Sequence, residues 1–215
     1  MIRTTPTTAF LMLLAVFSLP QIALGAVNAR ILVGAREAII APSAVFDGHR
    51  VLAPVKVLDS MGASYITGPE SRSIGIIGAA GQSGHVDTVD IDGTPMLPMD
   101  RVCEVLGVQS SWDRAGSVLT LTARLLSVEF VDDTLNLNCS LPVSCATHLW
   151  GDKLVFDLPS TRLGTEAREV YIGAPLVQRA RLGEPTAGDT RVVLDLTKAA
   201  GWKFESDPVA SQIRV

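Results

Sequence analysis

The stretch DGTPMLPMDRVCEVLGV (Asp92–Val108) decides the reading of the N-terminal half. Asp92-Gly93 is a hairpin-turn dipeptide, since the tight turns that suit twisted strands need positive φ. Pro98 is suited to open a helix, where its missing N–H would have no partner in any case. Met99, Val102 and Leu106 then recur three and four apart, on one helical face. Gly107 is the residue type that ends a helix in the left-handed conformation. The spacing predicts a helix of about ten residues, too short to hold alone in water, so it must lean on strands around it. Cys103 falls among the apolar positions and reads as a buried small hydrophobe.

The same plan occurs earlier, in DGHRVLAPVKVLDSMGA (Asp47–Ala63). Asp47, Gly48, Leu52 and Gly62 map onto Asp92, Gly93, Leu97 and Gly107 at a constant shift of 45. Val55, Leu58 and Met61 form the corresponding apolar face. Strand-like runs bracket both copies, and SVLTLTA alternates Val118, Thr120 and Thr122 with Leu119, Leu121 and Ala123 at the period of a half-buried strand. Each copy therefore reads as hairpin, short helix, hairpin, an α+β unit that buries its apolar face against its twin.

Beyond about Leu125 the helical signal disappears, and strands are expected in LSVEFVDDTLNLNCS, KLVFDLP, LVQRARLGE, TRVVLDLT and SQIRV. Lys153-Leu-Val-Phe-Asp-Leu158 echoes Arg191-Val-Val-Leu-Asp-Leu196 at a shift of 38. The expectation is a mostly β protein: the N-terminal repeat module, then a β domain of two symmetric sheets with the echoed strands at matching places in the two. Cys139 and Cys145 flank SLPVS, read as a turn between strands, and pairing across a hairpin is expected in an oxidising compartment.

Composition bounds the function. The chain has 215 residues, 47% hydrophobic and 19% charged, with a net charge of −4 and no basic stripe, which argues against a nucleic-acid partner. Residues 1–25 read as a secretory signal peptide, with a retained signal anchor as the alternative. Arg3 is its basic residue, Phe10–Leu19 an apolar core too short to span a bilayer, and ALG (Ala23–Gly25) a small-residue cleavage site. A membrane contact is expected only through that segment. The three histidines, His49, His85 and His148, lack zinc-ligand spacing and read as surface residues. GIIGAAGQSGH (Gly75–His85) has no phosphate-loop lysine and reads as a turn region between strands. No nucleophile elbow is present. Asp157 and Asp195, related by the echo, read as structural carboxylates accepting backbone or arginine hydrogen bonds rather than as a glycosidase pair. No catalytic residue, metal or cofactor is expected.

Two family resemblances follow from these motifs. Residues 30–124 resemble the copper amine oxidase N-terminal-like domain, through Leu97, Pro98, Met99, Val102, Glu104, Leu106, Gly107, Trp112 and Asp113 in the second copy and Pro54, Lys56, Gly62 and Ala63 in the first. Asp100 stands where that family often has Arg, and the first copy has no Trp-Asp. The resemblance is to an accessory module of exported bacterial envelope proteins and implies no copper centre. Residues 125–215 resemble the AMIN domain of N-acetylmuramoyl-L-alanine amidases and pilus secretins, through LWGDKLVFDLPSTRL (Leu149–Leu163) and VQRARLGEPTAGDTRVVLDL (Val177–Leu196). Lys153, where Arg is usual, and the cysteine pair are departures.

The AMIN resemblance implies an exported, non-catalytic protein of the periplasm or cell envelope that holds peptidoglycan or another cell-wall glycan. The resemblance leaves two alternatives: the targeting front of a zinc amidase whose hydrolase is absent here, and a docking module for envelope proteins of a pilus or secretion complex. Holding a glycan strand with peptide carboxylates calls for aromatic faces and arginine forks. The candidates are Arg162, Tyr171, Arg179, Arg181, Arg191 and Trp202. Trp112 and Trp150 are expected to pack at domain edges instead.

Overall fold

The computed structural model describes residues 26–68, 72–132, 134–198, 205–207 and 212–214, the last two segments by backbone only. The signal segment and Trp202 lie outside them. The chain is mostly β, with two helices among the described residues. Neither helix is long and apolar enough to cross a membrane.

The N-terminal half runs β1 (Val27–Val33), β2 (Arg36–Glu37), β3 (Ala44–Phe46), β4 (Val51–Pro54), α1 (Val57–Ser60), β5 (Ser64–Thr67), β6 (Ser73–Ile77), β7 (Ser83–Asp87), β8 (Val89–Ile91), β9 (Thr94–Pro98), α2 (Met99–Leu106), β10 (Gln109–Asp113) and β11 (Val118–Val131). The hairpin–helix–hairpin plan thus appears twice, as β3–β4–α1–β5–β6 and β8–β9–α2–β10–β11. Both helices end on a glycine at φ +65, Gly62 and Gly107, the left-handed position that only glycine takes without strain. The two copies meet at β4 and β9, where Leu52 pairs with Pro98 and Ala53 with Leu97. Each residue faces the repeat equivalent of its neighbour, so a local two-fold relates the copies. The hairpin turns differ. Asp92 and Gly93 both take positive φ, whereas the Asp47 carboxylate accepts the N–H groups of His49 and Arg50, a side-chain turn of the kind short acidic residues favour.

One core holds both copies. Met99, Val102, Cys103 and Leu106 of α2 are buried with Val57, Leu58 and Met61 of the first copy and Leu119 and Leu121 of β11. The glycine run has a packing reason. A Cβ on Gly84 of β7 would sit 2.9 and 3.1 Å from the two Cγ atoms of Val105, and one on Gly78 would meet Leu106 at 2.9 Å. Small residues on the β6–β7 hairpin therefore let α2 lie against it.

The second half continues through β12 (Thr134–Cys139), β13 (Ala146–Trp150), β14 (Lys153–Leu158), β15 (Thr161–Leu163), β16 (Glu169–Tyr171), β17 (Val177–Thr186), β18 (Asp189–Leu196), β19 (Glu205–Asp207) and β20 (Gln212–Arg214). Two layers face each other. One is the end of the large sheet, in the order β19-β20-β12-β11-β15; the other is the separate sheet β13-β14-β18-β17-β16. Leu125, Leu135 and Leu137 from the first layer and Phe156, Leu158, Ala180, Val192 and Leu194 from the second fill the space between.

The 14-residue strand β11 runs through both halves. Leu119, Leu121 and Ala123 serve the first core and Leu125 and Val128 the second. A bulge between Leu125 and Ser127 shifts the register against β12, which moves the inward positions from odd to even numbers.

Two expectations are corrected here. The echoed strands β14 and β18 lie in one sheet, side by side and antiparallel, and not at matching places in two. The segment between Cys139 and Cys145 is no hairpin turn. It carries the chain from one layer to the other, since β12 pairs with β11 and β20 while β13 pairs with β14. Cys103, Cys139 and Cys145 are free thiols. Desolvation by burial pushes Cys103 up to about 11 and Cys139 and Cys145 up to about 12.

Candidate functional site

Alternation along the five-stranded sheet places Leu154, Phe156, Leu158, Ala180, Val192 and Leu194 in the core. The residues between them stand on the opposite, outer face. That face carries Lys153, Val155 and Asp157 from β14, Arg191, Val193 and Asp195 from β18, and Arg179 and Arg181 from β17. Glu169 and Tyr171 of β16 and His148 and Trp150 of β13 complete it at the two edges.

The echo now has a geometric meaning. Lys153 pairs in register with Asp195, Asp157 with Arg191, and Val155 with its own equivalent Val193. A local two-fold therefore passes through the Val155–Val193 pair, and each Asp faces the basic residue of the other strand. Arg191 donates to Asp157 from Nε at 2.6 Å and from Nη2 at 3.2 Å. The second half of the pattern is modified. Asp195 accepts from Arg179 Nε at 2.6 Å and Arg181 Nη2 at 2.7 Å, while Lys153 turns to Asp152 at 3.3 Å. Arg179 also reaches Glu169 at 3.2 Å, and His148 Nδ1 stands 3.8 Å from Asp157.

These pairs orient the guanidinium groups. Burial pushes the Asp195 carboxyl up, but the hydrogen bonds from Arg181 and Arg179 outweigh it and hold the group below the ordinary carboxylate range. The hydrogen bonds that Arg191 donates to Asp157 raise Arg191 above its usual value. Arg179 keeps Nη2, and Arg181 and Arg191 keep Nη1, without a hydrogen-bond partner among the described residues. Fixed donors are thereby left pointing away from their carboxylates, suited to carbonyl, hydroxyl or carboxylate oxygens.

Beside them lies a depression of about 530 Å³ lined by Trp150, Gly151, Asp152, Lys153, Val155, Arg181, Arg191 and Val193. Val155, only 1% exposed although it points away from the core, lies among these lining residues. Trp150 stands at the edge, 71% exposed, and Tyr171 on the opposite edge strand is 78% exposed.

Tyr171, Arg179, Arg181 and Arg191 therefore share one face, as the glycan-holding reading of the sequence requires. Arg162 does not join them. It is exposed on β15, paired beside Arg124 in the other layer. Trp150 is a correction: it does not pack at a domain edge but stands in solvent on the candidate face. Trp112 does pack, stacked on Phe46 at 4.9 Å between centroids. Trp150, Lys153 and His148 were missed as site residues. The signal for Trp150 was its place directly before the tight turn Gly151-Asp152, at the turn end of a hairpin's edge strand. All three histidines are exposed, and among the described residues no group of three or more His, Cys, Asp or Glu is placed to hold a metal.

Residues 148–215 match the AMIN domain. The match takes in β14 to β20 with the end of β13, and so every strand that supplies the arginine face. No curated protein matches the chain. Among solved structures, the chain is similar to one described as the crystal structure of a hypothetical protein from Synechocystis, at 12% identity and a TM-score of 0.35. The alignment covers 82% of this chain and 31% of that one, so this chain spans about a third of the length of the solved relative. AMIN domains are non-catalytic, peptidoglycan-binding targeting domains of periplasmic proteins, and the arginine face is the surface of this AMIN match on which oriented donors and exposed aromatic rings coincide.

Proposed function

We propose that this protein is an exported, non-catalytic component of the cell envelope. Its C-terminal β sandwich holds peptidoglycan on the outer face of the five-stranded sheet. The carrying observation is the coincidence, within the AMIN match, of three carboxylate-oriented arginines with two exposed aromatic rings on one face. Peptidoglycan offers what such a face recognises: sugar rings for aromatic stacking, and acetamido carbonyls and stem-peptide carboxylates for arginine N–H groups. The N-terminal repeat module, with its resemblance to the copper amine oxidase N-terminal-like domain, serves as spacer or second contact surface. Export through residues 1–25 places the protein where the wall is.

Sedimentation of the purified protein with isolated sacculi tests this reading. Binding at low salt is expected. It should weaken several-fold when Arg181→Ala and Arg191→Ala are combined, with an unchanged circular dichroism spectrum. Protein that stays in the supernatant at low salt refutes it.

A further inference from the structure

Trp150 and Tyr171 belong to one continuous line across the sheet. Trp150 pairs with Lys153, Lys153 with Asp195, Asp195 with Arg179, and Arg179 with Tyr171. The line therefore crosses all five strands and carries an aromatic residue at each end. Four inter-strand steps put the ends about 19 Å apart. Both rings stand more than two-thirds in water, where burial gives them no role in stability.

The Tyr171 ring is also seated. A Cβ on Gly173 would lie 3.0 Å from its Cε1 and 3.3 Å from its Cζ, so the glycine leaves room for a ring that is still 78% exposed. Trp150 borders the depression that includes Val155 and Val193. Between the rings, Arg179 is clamped by Asp195 and Glu169, with Nη2 unpartnered among the described residues.

We infer that the ligand lies across the strands along this line, as a glycan segment long enough to touch Trp150 and Tyr171 at once. One sugar ring stacks at each end, and an acidic or acetamido oxygen sits on Arg179 between them. This rests on the wall-binding reading and adds to it the direction, length and end contacts of the bound polymer. The span is too long for a single disaccharide and within reach of two joined by a glycosidic bond. Two modest contacts on one chain reinforce each other through effective concentration.

The test is calorimetric titration of the purified protein with two soluble wall fragments: the disaccharide-peptide unit and its glycosidically linked tetrasaccharide. The wild type should bind the tetrasaccharide on the order of a hundredfold more tightly than the disaccharide. Trp150→Ala and Tyr171→Ala should each remove most of that length advantage, weakening the tetrasaccharide far more than the disaccharide. Both sites are exposed, so folding should be little affected. Leu149→Ala, on the same edge strand but out of the line, should leave the advantage intact. If the wild type shows no length dependence, or either aromatic variant keeps it, the line is refuted while sacculus binding upholds the wall-binding reading. If the wild type binds neither sacculi nor fragments, both fall.

Discussion

Gly84→Ala is the sharpest test of how the N-terminal module is assembled. The new Cβ would stand 2.9 Å from Val105 Cγ2 and 3.1 Å from Cγ1. Val105 lies within α2, where a β-branched side chain has one strongly preferred rotamer. Because both methyls crowd the site, turning the side chain brings one in as it takes the other out. Relief requires the helix to move off the hairpin. Overpacking of this kind costs roughly 1–3 kcal/mol. Replacing a strand glycine by alanine returns about 0.5–1 kcal/mol through the unfolded chain, so a net loss of about 1.5 kcal/mol is expected. The midpoint of thermal unfolding should fall by about 3–6 °C for a chain of this size. Val105→Ala removes both methyls and should by itself cost roughly 1–2 kcal/mol. In that background Gly84→Ala should become neutral or stabilising, a coupling on the order of 1 kcal/mol or more. Circular dichroism melts of the four proteins give the cycle. Equal effects of Gly84→Ala in both backgrounds, or no effect in the wild type, would refute the account of the glycine run.

Two further outcomes follow from the charged face and the thiols. Asp195 has a folded carboxyl held below its ordinary value, so its contribution to stability is complete above the unfolded value of about 3.9 and is lost as pH falls through the lower folded value. In urea titrations the gap between wild type and Asp195→Asn should be widest near neutral pH and close in acid; a gap independent of pH would refute the pairing with Arg179 and Arg181. In the reduced protein, Cys103, raised to about 11, and Cys139 and Cys145, raised to about 12, should resist iodoacetamide at pH 8 until denaturant is added. Rapid native labelling, followed by mass spectrometry, would refute the burial of Cys103 and Cys139 and the partial burial of Cys145. The same spectra taken without reductant test whether Cys139 and Cys145 pair under oxidising conditions.

What was legible in the sequence was whatever depends on neighbours along the chain. The α2 stripe of Met99, Val102 and Leu106 is set by helical period, and the stops at Gly62 and Gly107 by backbone sterics. The alternation from Val118 to Ala123 is set by the pleat. The hydrogen-bonded role of Asp157 and Asp195 was legible in part, because a carboxylate repeated inside an apolar strand calls for a donor; that Asp157 takes Arg191 of the echoed strand while Asp195 takes Arg179 and Arg181 was not. The short strands β13, β15 and β16 were not, since three to five residues carry too little periodic signal and are held by pairing with distant partners.

The sequence by itself therefore determined the class of fold, the hairpin–helix–hairpin repeat and the arginine-rich strands. Only the tertiary structure decided that the echoed strands are neighbours in one sheet, that Arg162 faces elsewhere, and that Trp150 shares a line with Tyr171. The physical reason is that strand pairing is non-local. Residues 21 apart in the chain, Trp150 and Tyr171, are joined through Lys153, Asp195 and Arg179, and no local period encodes which strand lies beside which. The same holds for Gly84. Its need for a small side chain comes from Val105 on a helix that the sequence places close by but cannot orient.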